Sequence, residues 1–291
     1  MEEQMQIQEK KSENLSRRKR MLLYVQAMAY TVPASTLGIF ITLFSLLLLR
    51  AVLEIYNQDF SVEYKKDNSP LTVADKNAND IIVNSLNKLP INSLLKKNIP
   101  ILSEEGRSVH YDERKNWEYF WLIDPLDGTK EFVKKNGEFT INIALIHIDS
   151  PVIGVVYSPV LNTCYWAKRD EGAFKDGKQL PLKIENKEDV YKIVASRSHM
   201  STETKDFIDS IATDKEKVVV SIGSSLKICL VAEGEANIYP RLGPTMEWDT
   251  AAAHAIVNES DGSFYKYKDQ GNHYYNKENL LNDWFVVESN K

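Results

Sequence analysis

An α+β architecture giving way to α/β, in two sub-domains around a cleft, is the fold class this sequence predicts. Between residues 51 and 190, short apolar runs follow one another with turn residues between them, the pattern of an antiparallel sheet with helices. After about residue 190, strand-like and helix-like segments alternate. The composition, 43% hydrophobic and 26% charged over 291 residues, is that of a folded protein with ample material for a core.

The N-terminal residues stand apart. Met1 to Arg20 is polar and ends in Arg17-Arg18-Lys19-Arg20, whereas Met21 to Leu49 holds no charged residue. An apolar stretch of this length meets the roughly 20 residues needed to cross a bilayer. Residues 1–50 therefore read as a polar, basic lead-in plus an apolar helix, with three readings open: a membrane anchor, a buried first helix, or an upstream stretch foreign to the domain. A secretory signal fits less well, because the lead-in is long and no A-x-A site precedes Arg50. Next come the end of a helix at Ala51 to Tyr56 and a strand at Gln58 to Tyr64. Turn residues at Asp67 to Pro70 precede a helix opened by Thr72 and Asp75 and running to Leu86.

Ile99 to Gly106 reads as a short buried strand ending in Glu104-Glu105, and Tyr119 to Ile123 as a strand leading to Asp124. Phe139 to Ile148 and Pro151 to Pro159 form a hairpin across Asp149-Ser150. The run from Cys164 to Leu180 supplies two more strands with a turn at Asp176-Gly177. Beyond residue 190 the order is strand (from Lys192), helix (Thr202 to Ile211), strand (from Lys217), helix (Lys227 to Ala232), strand (Glu235 to Pro240) and a helix starting near Asp249. The expected division is thus 1–50, 51–190 and 191–291.

A net charge of −5 gives no general electrostatic case for nucleic-acid binding. Cys164 and Cys229 are far apart with no metal or CxxC spacing, which argues against a disulfide framework and fits a reducing compartment. The chemistry lies with the acids that punctuate element ends: Asp75, Glu104, Asp124, Asp127 and Asp249. Taken singly, Asp75 and Asp249 read as helix caps and Glu104-Glu105 as a solvated turn. Asp124-Pro-Leu-Asp127-Gly128-Thr129 is different. Proline fixes the backbone, Gly128 permits a positive φ, and both carboxylates reach one point with the Leu126 carbonyl between them. Such crowding raises the cost of ionisation unless a cation intervenes. Hard oxygen ligands without His or Cys suit Mg²⁺, and two ions about 3.5–4 Å apart would support in-line phosphoester hydrolysis.

These residues carry a resemblance. DPLDGTKEF, the upstream SEE and the downstream WDTAAAHA are similar to the signature of the lithium-sensitive, magnesium-dependent inositol monophosphatase superfamily. KKDNSPLTVAD, KEFVKKNGEFTINIALI, SRSH and SIGSSLKICLVAEG resemble the CysQ-type 3'(2'),5'-bisphosphate nucleotidases. The likeness runs from about Ala51 to the C-terminus. It implies a layered αβαβα sugar-phosphatase fold and hydrolysis of adenosine 3',5'-bisphosphate to AMP and phosphate, in support of sulfate assimilation.

By the same resemblance, Glu104, Asp124 and the Leu126 carbonyl hold one Mg²⁺, and Asp124, Asp127 and Asp249 a second. Asp75 and Thr129 activate the attacking water, with a third, weaker ion as a further option, so Asp75, Thr129 and Glu104 form the catalytic set. Gly128 and Thr129 contact the scissile phosphate, and Leu126, Asp127 and Asp249 count with them among the substrate-binding residues. His199, Gly223, Ser224 and Lys227 meet the nucleotide and its second phosphate, with Arg241 a looser candidate. Glu105 is the alternative to Glu104. The family's first helix is amphipathic and this one is not, and a true span with its basic flank would put the catalytic residues outside. Because the relatives act in the cytoplasm, some at the inner membrane face, the resemblance implies a cytoplasmic catalytic domain, with attachment to the inner membrane face as an option. Inositol monophosphate or fructose bisphosphate hydrolysis on the same metal site is the second reading. Sulfate-ester chemistry on the activated sulfate nucleotide and a non-catalytic membrane-bound nucleotide sensor are the others.

Overall fold

In the computed structural model the described residues are 52–53, 55–56, 62–64, 70–88, 98–183, 189–196 and 200–290. The chain divides into two units, Met1–Leu46 and Leu47–Lys291. The first unit, the expected apolar helix of residues 21–49 and His199 all lie outside the described residues. Among the described residues no helix is long and apolar enough to cross a membrane.

Strands β1 (Val62–Tyr64) and β2 (Pro70–Thr72) form a short antiparallel pair that leads into helix α1 (Val73–Asn87). Thr72 caps α1, its hydroxyl accepting from the Ala74 N–H at 3.1 Å. Ala74, Ala78, Ile82 and Leu86, spaced by four, are the buried face. Then follow β3 (Ile101–Ser103), α2 (Tyr111–Arg114), β4 (Tyr119–Asp127), α3 (Thr129–Val133), β5 (Thr140–His147), β6 (Ser150–Ser158), β7 (Thr163–Lys168), β8 (Gly172–Lys175) and β9 (Lys178–Gln179). β3 to β9 make a seven-stranded sheet in sequence order, antiparallel except for the parallel β3/β4 pair.

Two sequence expectations need correcting here. The Cys164 to Leu180 run gives three strands, not two, because the chain also turns at Arg169 to Glu171, where Asp170 takes a left-handed φ of 66°. β4 does not end at Ile123 but runs on to Asp127, and its pairing with β5 shifts register between Asp124 and Asp127. Pro125 falls inside that irregularity, where a missing N–H costs no ladder bond.

The second sheet is built from β10 (Val190–Ala195), β11 (Glu216–Ser221), β12 (Ile238–Arg241), β13 (Gly262–Lys266) and β14 (Phe285–Ser289), in the order β11-β10-β12-β14-β13. β10 is parallel to β11 and β12, and β14 is antiparallel to both its neighbours. Its helices are α4 (Thr202–Ser210), α5 (Leu226–Ala232) and α6 (Glu247–Asn258). α6 starts two residues before Asp249, so Met246 takes the N-cap position and Asp249, at the third helical position, closes the turn by accepting from the Met246 N–H.

The layers follow from the contacts. α1 packs on β4, α6 packs on β4 to β8 and also meets β13, α5 packs on α6, β10, β12 and β14, and α4 packs on β12. This is the layered αβαβα arrangement. Gly154 on β6 sets the approach of α6, since a Cβ there would lie 2.1 Å from the Ala252 carbonyl oxygen. Only a glycine lets the helix carrying Asp249 lie so close to the sheet.

Candidate active site

The acids of interest sit at element ends or at the irregularity of β4, and Asp75, Asp124, Asp127 and Asp249 each accept from a nearby donor. Glu104 follows β3 directly, its N–H donating to the Ile123 carbonyl at 3.1 Å, so the parallel β3/β4 pair sets it beside Asp124. Asp124, buried at the β4 irregularity, accepts from the Leu126 N–H at 3.0 Å through one oxygen. Asp249 accepts from the Met246 N–H at 2.8 Å, which anchors it across the first turn of α6. Carboxylate oxygens of Glu104, Asp124 and Asp249 lie within 4.8 Å of one another.

Burial, and then the charges of Glu104, Asp127 and Asp249, pushes the Asp124 carboxyl well above the usual carboxylate range. Burial and then Asp127 do the same to Asp249. A cluster made only of oxygen donors, with ionisation so opposed, is chemically suited to a hard divalent cation. Asp127 stands beside these three. Its Oδ2 accepts from Ser225 Oγ at 2.8 Å, with Asn142 Nδ2 at 3.3 Å. Asn142 Nδ2 also donates to Ser225 Oγ at 2.7 Å, and Ser225 Oγ lies 2.9 Å from the Asp249 carbonyl. Ser225 therefore ties Asp127 to the helix that bears Asp249.

Asp75 occupies the first turn of α1, its Oδ2 accepting from Thr72 N–H and Oγ1, both at 2.7 Å. Its Oδ1 lies 3.2 Å from Thr129 Oγ1, which is also 3.2 Å from the Leu126 carbonyl. Thr129 lines the cleft and Asp75 stands behind it. Burial raises the Asp75 pKa against the opposing Thr72 bonds, and the Glu105 charge adds to the rise. The structure thus groups Glu104 with Asp124, while the charge of Glu105 is felt at Asp75. Gly128 takes φ +90°, a conformation that turns β4 into α3 and that a side chain would strain.

Opposite the acids, a cleft of about 310 Å³ is lined by Gly223, Ser224, Lys227 and Arg241 as well as Glu104, Asp124, Leu126, Asp127, Gly128, Thr129 and Asp249. Lys227 is buried. Its Nζ donates to the Ser224 carbonyl at 2.6 Å and stands 5.8 Å from the centre of the Tyr239 ring. Burial pulls the ammonium pKa down to about 8, with Arg241 also lowering it and Asp127 opposing. Arg241 donates from Nη2 to the Pro244 carbonyl at 2.8 Å, and its buried Nε has no hydrogen-bond partner. The Gly223 N–H, expected to meet a nucleotide, instead donates to Glu138 Oε2 at 2.9 Å.

So the fold brings the expected residues into one place, with Asp75 reaching it through Thr129 and His199 outside the described residues. Ser225 and Asn142 escaped the sequence reading. Asn142 left a trace, as an amide inside the apolar run Phe139 to Ile148, but nothing in Ser224-Ser225 marks which serine faces the acids.

Comparison with known proteins agrees with this geometry. The model of the inositol monophosphatase family matches residues 41–290. The 3'(2'),5'-bisphosphate nucleotidase CysQ of Salmonella typhimurium is 42% identical over 241 residues, covering 81% of this chain and 93% of that protein. The protein of the same name from Buchnera aphidicola is 45% identical over 216 residues, covering 72% and 77%. The crystal structure of CysQ from Bacteroides thetaiotaomicron superposes with a TM-score of 0.74 at 42% identity, covering 84% of this chain and 93% of that one.

Proposed function

The chain belongs to the inositol monophosphatase family, and from that premise we propose that it is a 3'(2'),5'-bisphosphate nucleotidase that cleaves adenosine 3',5'-bisphosphate to AMP and phosphate. The reading is carried by one observation: the acidic cluster and the cationic pair Lys227 and Arg241 face the same cleft. A substrate with two phosphates has one to present to each.

Glu104, Asp124 and the Leu126 carbonyl would hold one Mg²⁺, and Asp124, Asp127 and Asp249 a second. When bound, such ions neutralise the carboxylates, withdraw charge from the phosphate and make a water a better nucleophile. The rest falls to the protein. The Thr129 hydroxyl donates to Asp75 and takes the proton of the attacking water in turn, and the raised pKa of Asp75 suits it to receive that proton. Backbone N–H groups at Gly128 and Thr129 orient the scissile phosphate. Lys227 and Arg241, with Ser224 and His199, hold the second phosphate and so set the nucleotide's register. Residues 21–49 hold the catalytic unit at the inner face of the membrane, which fractionation with and without residues 1–50 tests.

The deciding experiment is phosphate release with Mg²⁺ from adenosine 3',5'-bisphosphate, against inositol 1-phosphate and fructose 1,6-bisphosphate. The nucleotide should be preferred, and Asp127→Asn should abolish turnover with the fold intact. Equal or better rates on the polyol phosphates would overturn the substrate choice.

A further inference from the structure

Resting on the bisphosphate reading above, the geometry points to Glu138 as a positioning residue that sets the grip on the second phosphate by holding the turn before Lys227. Glu138 lies between the two glycine turns of the cleft. Its carboxylate accepts from the Gly223 N–H at 2.9 Å. Its carbonyl oxygen lies close to both turns: a Cβ would be 2.5 Å from it at Gly223 and 3.2 Å from it at Gly128. Both glycines are thus packed against one peptide: Gly223 has no room for a side chain, and Gly128 has a tight contact and a φ of +90° that a side chain would strain.

The support beneath Glu138 is rigid. Its own N–H is held by Asn136 Oδ1 at 3.0 Å, and the following Phe139 is fully buried. The Phe139 ring lies 5.0 Å from Phe132 and 5.2 Å from Tyr56, centre to centre. Glu138 is therefore fixed to the first sheet, and Gly223 belongs to the second sheet's side of the cleft.

The turn is held from two directions. Glu138 takes the Gly223 N–H, while Lys227 Nζ donates to the Ser224 carbonyl at 2.6 Å and to the Ile222 carbonyl at 3.4 Å. Ser224, between them, adopts φ +51°, a left-handed conformation that a serine keeps only when its surroundings impose it. Removing the carboxylate leaves the buried Gly223 N–H without its acceptor, and such a group pulls its backbone toward another partner. The turn then shifts, and with it the carbonyls that aim the Lys227 ammonium. The acids around Asp124 are held by their own donors and stay in place. The loss falls on binding of the second phosphate and not on the cleavage step.

The test is steady-state kinetics of Glu138→Ala and Glu138→Gln on adenosine 3',5'-bisphosphate and on 3'-AMP, which lacks the second phosphate. Glu138→Ala should raise KM for the bisphosphate about tenfold with kcat within about twofold, and leave KM for 3'-AMP within about twofold. Glu138→Gln keeps a side-chain acceptor of the same reach and should restore KM to near the wild-type value. Glu138→Asp, shorter by one methylene, provides the same reading if the alanine variant does not fold. Wild-type KM in Glu138→Ala, no rescue by glutamine, or an equal fall of kcat on both substrates overturns the assignment. A wild-type protein that cleaves 3'-AMP but not the bisphosphate instead overturns the substrate reading, and the Glu138 assignment with it.

Discussion

Replacing Lys227 with methionine should make the protein more stable while weakening its hold on substrate. Lys227 as a residue is 9% exposed, and burial pulls its pKa from 10.5 to about 8. That drop corresponds to about 3 kcal/mol of penalty for keeping the charge in the folded state. In the unfolded chain the amine is charged up to pH 10.5, in the folded protein only up to about pH 8. Below pH 8 both states carry the proton and the whole penalty stands. Between pH 8 and 10.5 the folded protein sheds a proton that the unfolded chain keeps, so stability rises with pH through that window.

Methionine fills similar space without the charge, but it leaves the Ser224 and Ile222 carbonyls without the donor they have now, at about 1 kcal/mol for the shorter bond. The net gain at pH 7 is about 1–2 kcal/mol. Urea unfolding in EDTA at pH 7, 8, 9 and 10 measures it, and the gap between variant and wild type should close as the pH climbs. In the same variant KM for the bisphosphate should rise by about a hundredfold, the cost of losing one buried charge-assisted contact. A variant no more stable at pH 7, or a gap that stays constant up to pH 10, refutes the reasoning.

Three further outcomes are expected. Because Asp124 and Asp249 keep their protons to higher pH when folded than when unfolded, the metal-free protein should lose stability as the pH rises through their raised pKa values. Mg²⁺ at a hundred times its Kd should return about 2.7 kcal/mol, seen as a larger Mg²⁺-induced rise in Tm at pH 8 than at pH 5. Asp249→Asn should stabilise the metal-free protein and cancel the Mg²⁺ increment; an undiminished increment counts against the site. Thr129→Val removes the hydroxyl between Asp75 and Leu126 and should lower kcat by about 10²–10³, with Thr129→Ser recovering most of it in a single-turnover assay. Gly154→Ala puts a methyl 2.1 Å from the Ala252 carbonyl oxygen and should cost about 3 kcal/mol by calorimetry, so a neutral result would deny the close approach of α6 to β6.

Much of this architecture was legible because it is written in local patterns. The four-residue spacing of Ala74, Ala78 and Ile82, the turn at Asp149, and Asp-Gly at 176–177 each fix an element with few residues. The turn at Arg169 to Glu171 was not legible, because a charged triplet with Asp170 in a left-handed conformation looks the same as a solvated strand edge. The antiparallel addition of β14 between β12 and β13 was hidden for a different reason. Strand order is decided by packing between distant segments, and no residue near Phe285 encodes its neighbours. In the site, the acids were legible as types at strand ends, whereas Ser225, Asn142 and Glu138 act by orienting other groups. Their roles exist only once β5 and α5 have been brought together.

The cap and the site, which look like rival readings of Asp75 and Asp249 in the sequence, turn out to be one arrangement. Each stands at the third position of a helix, and each gives one oxygen to the N–H of the residue before that helix. That bond fixes the carboxylate in direction, and the helix N-terminus favours its ionised form. Burial opposes ionisation, so the cap partly offsets what the cleft imposes. Asp124 and Asp127 follow the same rule with other donors, the Leu126 N–H and the Ser225 hydroxyl. With one oxygen engaged, a carboxylate has few orientations left, and its second oxygen is aimed without a long side chain to immobilise. Aspartate, with one fewer rotatable bond than glutamate, loses less freedom when it is held this way. The carboxylates of Asp75, Asp124, Asp127 and Asp249 are thus aimed by the same local bonds that close two helix N-termini and the irregular end of β4.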